Sequence, residues 1–133
     1  MSESSSYVLF DIPDGRPPVD RDFLVRLGHP VEVCSGPGEG ACPLVAGRGC
    51  PLAENAHGIV FELDLDRPAH RAVLRKYKTA LDEVPIRIAV RPGQEEQFAT
   101  LLQGIKVWTH EPVAGDLDAF AAEVEAADQF RDR

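Results

Sequence analysis

Residues 58–68 read Gly-Ile-Val-Phe-Glu-Leu-Asp-Leu-Asp-Arg-Pro and contain the clearest signals for the fold. The stretch 58–63 has the length of a strand and is apolar except for Glu62, and short apolar runs of this kind are typical of strands buried on both faces. Acidic residues and then Pro68 follow, and proline is well tolerated in the first turn of a helix. The stretch therefore predicts a buried strand, an acidic turn and a helix over 68–81, with His70 in an exposed turn.

The same alternation of strands and helices continues on both sides of this stretch. Short apolar runs bounded by turn-forming residues predict further strands at 7–12, 31–34, 85–90 and 105–109. Apolar periodicity and capping residues predict helices at 17–27, at 94–103 and after a cap at Asp116. Strands separated by helices pair in parallel, so we predict an α/β fold, a three-layer doubly wound sandwich around a five-stranded parallel sheet.

The length of the chain suits one domain. With 133 residues in total, we expect a disordered tail at 1–6 and a single domain over 7–130. Residues 36–55 contain five glycines and three prolines, a composition that disfavours a long helix. The second helix of the doubly wound pattern is therefore expected to be replaced by a segment rich in Cys, Gly and Pro.

The charge balance excludes several classes of function. The chain has 14 Lys and Arg against 22 Asp and Glu, a formal charge of −8. Because an acidic protein without a basic cluster repels phosphate backbones, nucleic-acid binding is not expected. No apolar run approaches the roughly 20 residues that span a bilayer, and no signal peptide is evident, so we expect a cytoplasmic protein without membrane association.

Acidic residues follow several of the predicted strands. In a parallel sheet, ligands bind beyond the carboxyl ends of the strands. The acids expected near that edge are Asp11, Asp14, Asp64, Asp66 and Glu111. Like charges held close together favour a cation, so weak Mg²⁺ or Ca²⁺ binding is one interpretation. The other is that Asp64 and Asp66 simply form a solvated acidic turn.

The three cysteines are evenly spaced. Cys34, Cys42 and Cys50 are each separated by seven residues, and Cys-Pro-Leu occurs at the second and third. A zinc site needs four ligands, so His29, His57 or an acid would have to complete it. An iron–sulfur cluster has a similar requirement. Redox-active thiols and ordinary packing are the remaining interpretations.

Several of these stretches also match one family. They are Tyr-Val-Leu-Phe-Asp at 7–11, Leu-Gly-His-Pro-Val at 27–31, Asp-Leu-Asp-Arg-Pro at 64–68, Leu-Leu-Gln-Gly at 101–104 and Thr-His-Glu-Pro at 109–112. Together they resemble the receiver domains of bacterial response regulators. The resemblance implies a flavodoxin-like fold, with Asp64 at the phosphoacceptor position because Pro68 follows four residues later. Counting from the start of the strand gives Glu62 or Leu63 instead.

The sequence departs from the family pattern at its functional positions. Only Asp11 stands where the family has further acids after strand one, and Ala89 or Val90 stands where it has a hydroxyl residue. Glu111 replaces the family's lysine. The resemblance therefore implies a non-catalytic pseudo-receiver that signals through a protein partner, with a homodimer left open. The alternatives are a metal, iron–sulfur or redox-sensing domain built on the cysteines, and a phosphoacceptor that uses Asp64.

Overall fold

Five parallel strands form the central sheet. The computed structural model of the chain describes residues 7–12, 31–34, 50–81, 84–110 and 112–131. Its strands are β1 (Val8–Asp11), β2 (Val31–Cys34), β3 (Gly58–Phe61), β4 (Ile86–Ala89) and β5 (Lys106–Trp108). They pair in the order β2-β1-β3-β4-β5, and every pairing is parallel. This confirms the predicted sheet, and its strand order is the flavodoxin-like one.

Within the described ranges, four helices lie between or after these strands. They are α1 (Pro51–Glu54), α2 (Pro68–Ala80), α3 (Gln94–Gln97) and α4 (Ala114–Arg131). The helix predicted at 17–27 lies outside the described residues, as do the tail at 1–6 and most of the Cys, Gly and Pro segment. Of that segment, the structure describes α1 and its flanks.

Two helix boundaries differ from the prediction. The helix expected at 94–103 is regular only to Gln97. Beyond it, the backbone N–H of Ala99 donates to the Glu96 carbonyl and that of Gln103 to the Thr100 carbonyl. Both bonds reach back three residues, whereas those of an α-helix reach back four. The last helix begins at Ala114, so Asp116 is its third residue and not its cap. The Oδ2 atom of Asp116 accepts the backbone N–H of Val113, the residue before the helix, at 3.0 Å. In a capping box the third helical residue makes this same bond to the N-cap residue.

The sheet is covered on both faces. On one face Leu9, Ile59, Phe61 and Ile88 pack with residues of α2 in one hydrophobic core. On the other face Phe10, Val60 and Trp108 pack with Leu117, Phe120 and Val124 of α4 in a second core. The two cores confirm the doubly wound sandwich. In the part of the chain that the structure describes, no helix is long and apolar enough to cross a membrane.

Candidate functional site

A pocket of about 370 Å³ opens beyond the carboxyl ends of β3, β4 and β5. Its polar lining groups are the side chains of Glu62, Arg91, Gln94, Thr109 and His110. The sheet topology predicts a site at this edge. A carboxyl, a guanidinium, an amide, a hydroxyl and an imidazole meet there, so the pocket can donate and accept hydrogen bonds.

Glu62 is the acid that directly follows β3. Its backbone N–H donates to the Asp11 carbonyl at 2.8 Å, which extends the pairing in which Asp11 lies opposite Phe61. Asp64 lies two residues further along the chain, beyond the end of the sheet. The pairing of β1 with β3 therefore places Glu62, the alternative obtained by counting from the strand, next to the end of β1.

Asp64 organises the turn that leads into α2. Its backbone N–H donates to His70 Nδ1 at 2.9 Å, and its Oδ1 accepts the N–H of Asp66 at 3.0 Å. Its carbonyl accepts the N–H of Arg67 at 3.0 Å. The Oδ2 atom forms an ion pair with Arg91 at 3.4 Å. Asp64 is thus held by contacts within its own turn and by one cation from the neighbouring loop.

Gln94 links the two loops that meet at this edge, a role that no local sequence pattern indicates. Its side chain is buried. The Oε1 atom accepts the backbone N–H of Arg91 at 2.9 Å, and Nε2 lies 3.5 Å from Asp64 Oδ1. Gly93 precedes it with φ at 88°, a left-handed conformation that favours glycine. That turn starts α3 and brings the amide between the loops.

His70 corrects a sequence prediction. The histidine expected in an exposed turn is only 1% exposed. Its Nδ1 accepts the Asp64 N–H, so the ring is the neutral tautomer with the proton on Nε2. Burial lowers the pKa of His70, and the charge of Arg67 lowers it further. The hydrogen bond to the turn explains why a polar ring points inward at the start of the helix.

The side chain of Asp11 is buried in the core. Its side chain is 1% exposed, and its Oδ2 accepts the hydroxyl proton of Tyr77 at 2.6 Å. Burial raises the pKa of Asp11 to about 7, against the smaller lowering effect of hydrogen bonds from Tyr77 and Cys34. Burial and the neighbouring carboxyl also raise the pKa of Tyr77. Asp11 therefore belongs to the α2 side of the sheet and forms no part of the pocket lining.

His110 and Asp116 connect the loop after β5 to α4. The Nε2 atom of His110 lies 3.1 Å from Asp116 Oδ2, the oxygen that also accepts the Val113 N–H. The backbone hydrogen bond lowers the pKa of Asp116, and the bond with His110 lowers it further. The imidazole of His110 is thereby oriented at the rim of the pocket.

The predicted acidic cluster divides into separate contacts. Asp11 bonds to Tyr77, Asp64 pairs with Arg91, and Asp66 is exposed. Asp14 and Glu111 lie outside the described residues. Across residues 7–12, 31–34, 50–81, 84–110 and 112–131, no three His, Cys, Asp or Glu side chains are grouped so as to hold a metal ion. A weak Mg²⁺ site at this edge stays a prediction.

The described cysteines are both half-buried thiols. Cys34 ends β2 and Cys50 precedes α1. His57 lies at the end of the sheet where the strands begin, and its backbone N–H donates to the Tyr7 carbonyl at 2.9 Å. Cys34 lies at the other end, where the strands finish, so His57 and Cys34 are separated by about the length of a strand, more than about 10 Å. Cys42 and His29 lie outside the described residues, so a metal or cluster at the cysteines also stays a prediction.

Comparison with known proteins identifies the fold. No family model and no curated protein matches the chain. A response regulator receiver domain from Clostridium thermocellum is 14% identical, with a TM-score of 0.67 over 95% of this chain and 98% of that chain. This chain has a receiver fold. The receiver fold also superposes on FixJ-N, which is 16% identical, with a TM-score of 0.56 over 91% of this chain and 94% of that chain.

These identities establish the fold alone, so the chemistry of this receiver fold rests on its own side chains. Neither Tyr77 nor Gln94 was predicted from the sequence as a site residue. A signal for the first existed, because a phenol hydroxyl in a core requires a partner. Nothing local indicated that the partner would be Asp11.

Proposed function

We propose that this chain is a receiver-like signalling domain that acts by binding another protein and does not carry a phosphoryl group. The observation that supports this most strongly is the position of Asp11. Its carboxyl bonds to Tyr77 inside the core, and Ile12, which follows, is a buried apolar residue. Neither side chain offers the oxygen ligands that Mg²⁺ requires at the pocket.

Two further features support the loss of phosphotransfer. Ala89 ends β4 and Val90 follows it, so no hydroxyl at this end of β4 faces a phosphoryl group on Glu62 or Asp64. Asp64 is engaged by the N–H of Asp66 and by Arg91. Breaking these contacts would be a cost of making its carboxylate available as a nucleophile.

The proposed mode of action follows from the fold and the charge. The resemblance to response regulators implies signalling through a protein, and the formal charge of −8 disfavours a nucleic-acid partner. We place this activity in the cytoplasm. A homodimer is compatible with it.

The phosphotransfer half of the proposal is tested with acetyl phosphate. The protein is incubated with acetyl phosphate and Mg²⁺, and its intact mass is measured beside a receiver domain known to be phosphorylated. We expect no adduct on this chain. An added phosphoryl group that disappears in Asp64→Asn or Glu62→Gln would show that the domain is a phosphoacceptor and would refute the proposal.

The partner half is tested by photo-crosslinking in cells. Val113 is 63% exposed and follows Pro112 at the rim of the pocket, so a photoreactive residue there samples that surface. Thr79, exposed on α2, provides a second position. We expect a discrete crosslinked protein from at least one position. Crosslinks from neither position would contradict a stable partner at these surfaces.

A further inference from the structure

A groove of about 760 Å³ lies between α2 and the chain from α3 to Leu101. On the α2 side it is lined by Arg71, Arg75 and Lys78, and on the other side by Phe98 and Leu101. We call it the basic groove. It shares no lining residue with the pocket at the carboxyl ends of the strands, so it is a separate surface.

The three cations of the basic groove form one row along α2. Arg71, Arg75 and Lys78 stand at positions i, i+4 and i+7 of the helix, a spacing that brings side chains to the same face. With a rise of 1.5 Å per residue, the row is about 10 Å long. A single carboxylate or phosphate group is too short to contact all three cations, so the row fits several negative charges in line.

Two of these cations are already held in position. Arg71 Nη1 donates to the Leu65 carbonyl at 2.8 Å, and the guanidinium carbon lies 5.4 Å from the centre of the Phe98 ring. Lys78 Nζ donates to the Leu101 carbonyl at 2.6 Å. A guanidinium has five N–H groups and an ammonium three, so both retain donors for a ligand. Because these side chains are ordered beforehand, binding an anion costs them less conformational entropy.

The cations of the basic groove have no carboxylate partner in the part of the chain that the structure describes. There, ion pairs form at Arg87, Arg91 and His110 but not at the three groove cations. Glu96 also lines the groove, yet it forms no ion pair with them. In a chain with a formal charge of −8, this row is a local positive surface, complementary to an acidic ligand.

We propose that the basic groove binds an acidic helical segment of the protein partner, with carboxylates in a row and an apolar side chain beside them. This inference rests on the proposed function, because it assigns the docking site of that partner. Phe98 and Leu101 are half-buried and pack against the core on the α2 side of the sheet, so they form a firm apolar surface next to the cations. A helix with Asp or Glu at i, i+4 and i+7 matches the spacing of the cations.

A nucleic acid also carries negative charges in line, but it fits this surface less well. The formal charge of −8 repels a long polyanion. Glu95 and Glu96 are exposed on α3 beside the groove, so a phosphate backbone that runs past the cations meets like charges. A short acidic segment can place its carboxylates on the row alone.

The ligand chemistry is tested with two fluorescently labelled helical peptides of about 20 residues. One has glutamates at i, i+4 and i+7 with a leucine at i+3, and the other has the same composition with the glutamates spread around the helix. Fluorescence anisotropy should show that the first binds about tenfold more tightly or better. Equal binding of the two peptides, or no binding at about millimolar concentration, would overturn the proposal.

The site is tested by charge reversal at two neighbouring positions of α2. Arg75 is exposed, so Arg75→Glu should fold, and it should weaken binding of the first peptide about tenfold or more. Lys76→Glu gives the same net charge outside the groove lining and should change binding less than about twofold. A peptide with lysine in place of the middle glutamate should bind Arg75→Glu more tightly than it binds the parent. Equal losses in the two variants would contradict the assigned site.

Two other occupants give distinct results. A labelled single-stranded DNA that binds the parent and is lost in Arg75→Glu would make a nucleic acid the ligand of the groove. A dimer in sedimentation that Arg75→Glu dissociates, while Lys76→Glu leaves it intact, would make a second copy of the chain the occupant. Either result would overturn the proposal.

The crosslinking positions separate this inference from the proposed function. Thr79 lines the basic groove, whereas Val113 does not. We expect a crosslinked protein from Thr79 that disappears with Arg75→Glu and persists with Lys76→Glu. A crosslinked protein from Val113 alone would leave the proposed function standing and exclude the groove as its docking site. A phosphoryl adduct would refute the proposed function whichever peptide binds.

Discussion

The buried position of Asp11 changes the pKa of its carboxyl. The residue occupies the end of a strand, where a carboxylate is often solvated, yet its side chain lies between the sheet and α2 with Tyr77 as its donor. The hydrogen bonds from Tyr77 and Cys34 do not replace the hydration of a full charge, so the carboxyl holds its proton up to about neutral pH.

This raised pKa predicts the pH dependence of stability. Asp11 has a pKa of about 7 in the folded chain against 3.8 for an ordinary aspartate, so between these values the folded state binds more protons than the unfolded state. The contribution of Asp11 to the free energy of unfolding should therefore fall by about 4 kcal/mol as the pH rises from about 4 to 8. Urea titrations at several pH values measure this, and Asp11→Asn should remove that component of the slope.

The matched control is Asp66→Asn, which neutralises an exposed acid. It should keep the slope of the parent protein. If Asp11→Asn and the parent show the same dependence on pH, the carboxyl titrates as an ordinary surface group and its burial in solution is wrong.

At the scale of elements, the packing of α4 against β3 at Gly58 depends on the absence of a side chain there. A Cβ atom built on Gly58 would lie 2.5 Å from Cγ2 of Val124 and 3.2 Å from Cγ1. Valine in a helix has one strongly preferred rotamer, so the side chain cannot turn away. Gly58 therefore sets how near α4 packs to the sheet.

Gly58→Ala should destabilise the protein by about 1–3 kcal/mol through overpacking. Val124→Ala should destabilise it as well, by leaving a void. The double variant should be more stable than the sum of the two effects predicts, by about 1 kcal/mol or more, because the new methyl group occupies the vacated space. Denaturant unfolding of the four proteins gives this coupling.

Gly115→Ala is the control for the glycine substitution itself. A Cβ atom there meets nothing within 4 Å, and alanine is the better helix former, so the change should be neutral or slightly stabilising. Strictly additive effects of Gly58→Ala and Val124→Ala would mean that the contact between β3 and α4 is looser than described.

At the scale of the whole molecule, the sequence predicted what depends on local pattern. Strands buried on both faces leave continuous apolar runs, and each of the five observed strands lies within a predicted run, shorter by at most two residues at either end. The site depends on contacts that local pattern does not encode. Tyr77 and Asp11 are 66 residues apart in the chain, and the burial of His70 depends on an amide in the preceding turn.

The two hydrophobic cores predict that a charge on either face of the sheet prevents folding. Val60 faces α4 and Ile88 faces α2, and both side chains are fully buried. Val60→Asp and Ile88→Asp each place a carboxylate where no partner is available, at a cost of several kcal/mol against a total stability of about 5–15 kcal/mol. Thermal melts followed by circular dichroism should show neither variant folded, while Thr100→Asp on the surface should melt like the parent. If one of the two variants folds normally, the face of the sheet on which its substituted residue lies is open to water. That result would mean that helices cover the sheet on one side alone, contrary to the fold described above.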